Sequence, residues 1–151
     1  MTENPTPPSR FEIQAFETVT RDLVGLALRS VDSTGMSLPQ FRLLLVLSEI
    51  GPTSSVSCAR ALGVVGSSIT RLADRLHASG HLERRTDPSN RSVTLLELTP
   101  LGRELVDEVL LRRRRELGDA LAHLDADQRA AAVAALHALH PHIASDASHP
   151  I

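Results

Sequence analysis

The sequence predicts a mainly helical, α+β fold: a core of short helices carrying one β-hairpin, with longer helices flanking it on both sides. Three observations predict it. Apolar residues recur at the 3.6-residue helical period in six separate segments, the pattern turns extended only between about 82 and 98, and capping residues, glycines and prolines punctuate nearly every boundary.

Residues 1–8 hold three prolines and no apolar periodicity, and read as a disordered tail. Ser9 and Glu12 have capping-box spacing, and Phe11, Phe16, Val19, Leu23, Leu26 and Ala27 then carry a first helix to about residue 31. Gly35 falls in the break after it. Ser37 and Gln40 repeat the box around Pro39, which the first turn tolerates, and Phe41, Leu44, Leu45 and Leu47 drive a second helix that stops before Gly51-Pro52. A third, short helix covers about 55–62, with Cys58, Ala61 and Leu62 apolar, and closes at Gly63. The fourth, about 66–79, ends at Gly80. Its Ile69, Leu72, Ala73 and Leu76 stand at i, i+3, i+4 and i+7 on one face, while Ser67, Arg71 and Arg75 form a polar stripe opposite. Extended segments at 82–85 and about 92–98 then flank Thr86-Asp87-Pro88-Ser89-Asn90-Arg91, a run of turn formers with an arginine near its tip. Thr99-Pro100 opens a fifth helix through Leu101, Leu105, Val106, Val109 and Leu110 to about 117. Asp125 and Gln128 open an alanine-rich sixth through Val133, Leu136 and Leu139 to about 144, before a polar tail at 145–151.

Bulk properties narrow the function classes. A chain of 151 residues fits one compact unit, which leaves no room for separate catalytic and binding domains. The longest apolar run, Leu43 to Leu47, is far too short to cross a bilayer, and no signal-peptide pattern opens the chain, so a cytoplasmic protein without a membrane partner is expected. One cysteine excludes an internal disulfide and a thiolate zinc cage. The net charge is −2, yet from Val56 to Ser92 six arginines face three acids, so this middle carries +3 and the remainder −5. That polarity suits a molecule with one phosphate-facing side. No nucleophile lies beside a base, no glycine-rich phosphate loop occurs, and no carboxylate pair shares a face, so an enzyme is not expected.

Two short helices joined by a glycine-containing turn, with a basic stripe on the second and a hairpin behind them, describe a winged helix-turn-helix, whose second helix enters the major groove of duplex DNA. Arg71 is placed to read a base, since arginine can bridge O6 and N7 of guanine; Arg75 is placed for a phosphate, and Ser67, Ser68 and Thr70 offer hydroxyls to either. Arg84, Asn90 and Arg91 are the candidates on the wing, with Arg91 able to reach the minor groove. Asp74 is expected to orient the two arginines beside it. The first, fifth and sixth helices retain apolar faces once this core is complete, and Phe11, Phe16, Leu23, Leu105, Val109, Val133 and Leu136 are expected to bury against a second copy.

The stretch 38–109 resembles the multiple-antibiotic-resistance-regulator (MarR) family. The resemblance rests on Leu38-Pro39-Gln40-Phe41, Gly51-Pro52, the run from Ile69 to Leu76, Gly80-His81-Leu82-Glu83-Arg84, Asp87-Pro88, and Leu98-Thr99-Pro100-Leu101-Gly102-Arg103, six motifs in order. It implies a homodimer of winged helices that binds a pseudopalindromic operator, represses or activates nearby genes, needs no cofactor, and releases DNA when a small phenolic, aromatic or lipophilic effector acts. The corresponding division is 9–37 for dimerisation and linker, 38–98 for DNA binding and 99–144 for dimerisation. The chain departs from the family twice. Its wing reads Asn90-Arg91-Ser92 where relatives end Asp-Arg-Arg, leaving Arg91 to substitute for the missing last arginine. Val65 stands where relatives place a capping serine or aspartate, which leaves the start of the fourth helix to Ser67 or to backbone groups.

Three alternatives compete with this reading. Cys58 could sense oxidants as in some relatives, but it falls on the apolar side of the third helix, where a small buried hydrophobe belongs. His137, His140 and His142 could hold a metal, but Pro141 is expected to break the helix between the last two, and no further ligand is spaced alongside. A winged helix can also serve as a protein-docking scaffold, which would show no salt-dependent DNA affinity. Arg112 to Arg115 read as a solvated surface paired with acids of the first helix.

Overall fold

The computed structural model describes residues 6–144; the tail expected at 145–151 and residues 1–5 of the other lie outside the described residues. The elements run α1 (Arg10–Asp32), α2 (Leu38–Ile50), β1 (Thr53–Ser54), α3 (Ser55–Leu62), α4 (Gly66–Ala78), β2 (Leu82–Thr86), β3 (Thr94–Leu98), α5 (Pro100–Leu121) and α6 (Ala126–Ala144). Local hydrogen bonds explain where most helices begin. The Ser9 amide donates to the Glu12 carboxylate at 2.7 Å while the Glu12 amide donates back to Ser9 Oγ at 3.3 Å. Ser37 and Gln40 close the same reciprocal pair on α2, and Asp125 and Gln128 do so at α6. Ser54 and Thr99 cap α3 and α5.

The three strands form an antiparallel sheet in the order β1-β3-β2. Leu82 pairs with Leu98 and Arg84 with Leu96, while Thr53 pairs with Leu96 from the other side. Sequence pattern gives no sign of β1, because two residues are too short to display alternation; its pairing ties the turn after α2 to the hairpin.

α2 lies at the centre, packed on α1, α3, α4, α5 and β3. Phe41, Leu43, Leu44 and Leu47 bury almost completely on it, a wider apolar face than one stripe, as suits a helix covered on several sides. Ile69, Ala73 and Leu76 of α4, Cys58 of α3, Leu82, Leu96 and Leu98 of the sheet, and Val106 and Val109 of α5 complete the core. Each fully buried large aliphatic side chain contributes about 1.5–3 kcal/mol.

Three expectations change here. Val109, assigned to the faces left for a second copy, is 1% exposed inside the chain's own core, because α5 turns that side onto the winged helix; Leu105 is half-buried against the same core. α6 continues through Pro141 to Ala144, since a proline one turn from an exposed helix end costs only one backbone bond. Arg113 is no surface residue paired with acids. Its Nε donates to Ser30 Oγ at 2.7 Å and its Nη2 to the Ala27 carbonyl at 3.2 Å, with the guanidinium 5.0 Å from the centre of the Phe41 ring. One cation thus joins α1, α2 and α5.

By contrast α1 and α6 leave their apolar residues in solvent. Phe11, Phe16, Leu23, Val133 and Leu136 are each between 45% and 80% exposed in the isolated chain, and large apolar side chains exposed in number on two helices mark an interaction surface. Among the described residues no helix is long and apolar enough to cross a membrane.

Candidate nucleic-acid interface

The site is built from the α3–α4 turn outward. α3 closes at Gly63, which adopts the left-handed conformation (φ 65°, ψ 35°) that costs glycine nothing, and the Val64 amide then bonds the Ala59 carbonyl at 3.0 Å. α4 starts at Val65 with no side-chain cap; the first turn is held by backbone alone, the Ser68 amide donating to the Val65 carbonyl at 3.0 Å. Ser67, the alternative cap, makes no such bond.

Packing then decides which way α4 faces. Ile69, Ala73 and Leu76 bury at 1% exposure or less against α2 and α3, so the opposite side must point outward. Ser67, Thr70, Arg71 and Arg75 are exposed there, and Ser68 is half-buried. The Thr70 hydroxyl donates back to the Gly66 carbonyl at 3.3 Å, which leaves its oxygen as an acceptor. Arg71 and Arg75 enter no ion pair among the described residues. Two unpaired guanidinium groups one turn apart repel each other mildly, and an anion between them would relieve it.

Asp74 does not orient those two arginines. It turns to β2, where Arg84 Nη2 meets its Oδ1 at 2.6 Å. Arg84, a wing candidate, is therefore held against the helix as a strut between α4 and the hairpin. The pair is substantially exposed, so its worth is below about 1 kcal/mol and its effect is chiefly to orient. Arg85 is likewise engaged, to Glu97 across the hairpin at 2.9 Å.

The wing tip is ordered by its own short side chains. Asp87 Oδ1 accepts from the Ser89 amide at 2.8 Å and the Ser89 hydroxyl at 2.7 Å, and Asn90 Oδ1 accepts from the Ser92 amide at 3.1 Å. These bonds, the Ser89 hydroxyl first, hold the Asp87 carboxyl below the ordinary aspartate range. The carbonyl oxygen of Asn90 is thus built into the loop, leaving only its amide NH2 to project. Asp-x-Ser and Asn-x-Ser spacing carried the signal for this, since both residues bond backbone two positions ahead. Arg91 stands exposed and without an ion pair among the described residues. Arg60, exposed on α3 and equally unpaired, is a further cation that the stripe on α4 gave no reason to single out.

The other candidates separate cleanly. Cys58 is fully buried, and burial pushes its thiol above the ordinary value. His137, His140 and His142 are exposed along α6, and among the described residues no three histidine, cysteine or acidic side chains gather closely enough to hold a metal ion. Two concave volumes, of about 730 and 490 Å³, lie along α1 against α6 and against α5. They sit on the flanking helices and not between those helices and the winged core.

A family model described as MarR family matches residues 36–94, from just before α2 to the start of β3. The chain is similar to RV1404 of Mycobacterium tuberculosis at 31% identity and a TM-score of 0.83, over 91% of this chain and 97% of that one. It is similar to the HTH-type transcriptional repressor NicR of Pseudomonas putida at 31% identity over 107 residues, 71% of this chain and 66% of that protein. Its fold also matches a point mutant of MepR from S. aureus, solved bound to an oligodeoxyribonucleotide, at 16% identity and a TM-score of 0.69 over 86% of this chain and 96% of that one. The curated relatives are matched over only 43% to 66% of their own lengths.

Proposed function

The chain belongs to the MarR family, whose members regulate transcription and are not enzymes, and from that premise we propose that it is a sequence-specific repressor that grips duplex DNA as a twofold dimer in the cytoplasm. The observation that carries the proposal is the outward face of α4, where Ser67, Arg71 and Arg75 project without a side-chain partner among the described residues from a helix whose other side is sealed into the core. Arg71 reads a base edge and Arg75 holds a phosphate. Ser67, Ser68 and Thr70 add hydroxyl contacts, and Arg91, with the amide of Asn90, reaches from the wing toward the adjacent minor groove.

MarR-family regulators bind DNA as dimers. Here the exposed apolar residues of α1 and α6 support a twofold contact through 9–37 and 99–144, which leaves 38–98 as the DNA-binding part. Two copies of α4 then meet successive major grooves about 34 Å apart on a pseudopalindromic operator. A small aromatic or lipophilic effector would release DNA by stabilising a dimer whose spacing no longer fits. The burial of Cys58 favours this over an oxidant-sensing variant.

The test is fluorescence anisotropy on the DNA upstream of the protein's own gene. Arg71→Ala costs about 1–3 kcal/mol and relaxes sequence preference, whereas Arg91→Ala weakens all sequences evenly and lowers the salt slope by about one unit. If both variants bind as the parent does, or if affinity ignores salt as a protein-docking scaffold requires, the proposal is wrong.

A further inference from the structure

The α3–α4 turn carries two branched apolar side chains into solvent. Val64 is 40% exposed and Val65 68%, directly beside a helix whose Ile69, Ala73 and Leu76 are sealed in the core. Val65 occupies the N-cap of α4, where α1, α2, α3 and α5 each have a hydroxyl that accepts a backbone hydrogen bond. A serine here would satisfy an amide and remove an exposed isopropyl group, so valine is unfavourable twice over in the isolated chain.

The neighbours of Val65 sharpen its position. Gly66 follows it with open space where a Cβ would stand, and Ser67 and Ser68 come next, so Val65 is the last bulky apolar group before the polar first turn of α4 and more exposed than Val64. The first residues of a recognition helix are those that meet base edges. A major groove presents donors, acceptors and a single kind of apolar group, the C5-methyl of thymine. The polar groups have counterparts in Arg71 and the hydroxyls; the methyl is matched by Val65, which is more exposed than Val64 and bulkier than the Thr70 methyl.

We propose that Val65 is a specificity-determining residue that packs on the C5-methyl of one thymine in each half-site, an assignment that rests on α4 being the DNA-reading helix. Contact there removes the isopropyl group and the methyl from water together, which a hydroxyl at position 65 cannot reproduce.

The probe is a duplex recovered by in vitro selection from a random-sequence pool with the unaltered protein. It is resynthesised with uracil replacing each thymine in turn, so that only a methyl is lost. The unaltered protein is expected to lose about fourfold in affinity at one thymine per half-site, and about fifteenfold when both copies are replaced. Val65→Ser, which supplies the missing cap and keeps α4 folded, is expected to bind the thymine and uracil forms equally at that position. Indifference of the unaltered protein to every replacement overturns the inference, as does a Val65→Ser variant that keeps the same methyl sensitivity. Arg71→Ala on the same duplex separates this from the wider reading. If it binds as tightly as the parent, or if no duplex is selected at all, α4 is not the reading helix and the Val65 assignment falls with it. If Arg71→Ala is weakened while the methyl has no effect, only the Val65 assignment falls.

Discussion

Gly102 offers the sharpest test of how the hairpin is held to the rest of the chain. It lies in the first turn of α5, and a Cβ built there would overlap the His81 carbonyl oxygen, with the His81 carbonyl carbon at 3.1 Å and Leu98 Cδ2 at 3.3 Å. The approach is fixed by Thr99, whose amide donates to the His81 carbonyl at 3.2 Å and whose hydroxyl donates to the Gly80 carbonyl at 2.6 Å. Gly102→Ala must therefore push helix and strand apart. Helix propensity alone favours alanine by about 1 kcal/mol. Overpacking costs about 1–3 kcal/mol when side chains can yield, and lies at the upper end when the obstacle is backbone with a core leucine behind it. The net expectation is a loss of about 2 kcal/mol, or a fall in Tm of about 4–8 °C for a chain of this size. Gly118→Ala is the internal control: nothing lies within 4 Å of its Cβ, so it should gain about 0.5–1 kcal/mol. Both variants are compared by urea unfolding at one protomer concentration, because dimerisation contributes to apparent stability. A Gly102→Ala protein as stable as the parent would refute the close-packing argument.

Three further outcomes are expected. Arg113→Ala removes two hydrogen bonds and a ring contact that join α1, α2 and α5, and should cost about 2 kcal/mol in urea unfolding, whereas exposed Arg114→Ala should stay within about 0.5 kcal/mol; equal effects would show that the inward geometry carries no energy. Cys58 should react with a thiol reagent only as the protein unfolds, and peroxide should leave DNA affinity unchanged, since burial raises the thiol pKa and bars access; rapid labelling of the native protein contradicts this. Asp87 has its folded pKa depressed, so its hold on Ser89 is present above the unfolded value and is lost as pH falls through the folded one. The Ser89 amide resonance should titrate below the ordinary aspartate range, and a midpoint at or above that range counts against the wing-tip geometry.

The helices, their capping boxes and the outward stripe on α4 were legible in the residues because the interactions behind them span three or four positions. Ser9 finds Glu12, Ser37 finds Gln40 and Asp125 finds Gln128 whatever the rest of the chain does. The side of α4 that points outward follows from where Ile69, Ala73 and Leu76 fall, since no other face could be buried. Tertiary structure decided the rest. Asp74 had two arginines near it in sequence and bonded a third, ten positions away; Arg113 found Ser30 at a distance of 83 positions; β1 acquired a partner only when the hairpin arrived. Val109 and Phe16 look alike as apolar residues on amphipathic helices, yet one is sealed in the core and the other stands in solvent. Periodicity shows that a face is apolar and not what covers it, because that depends on the angle at which distant helices cross, and no run of neighbouring residues encodes that angle alone.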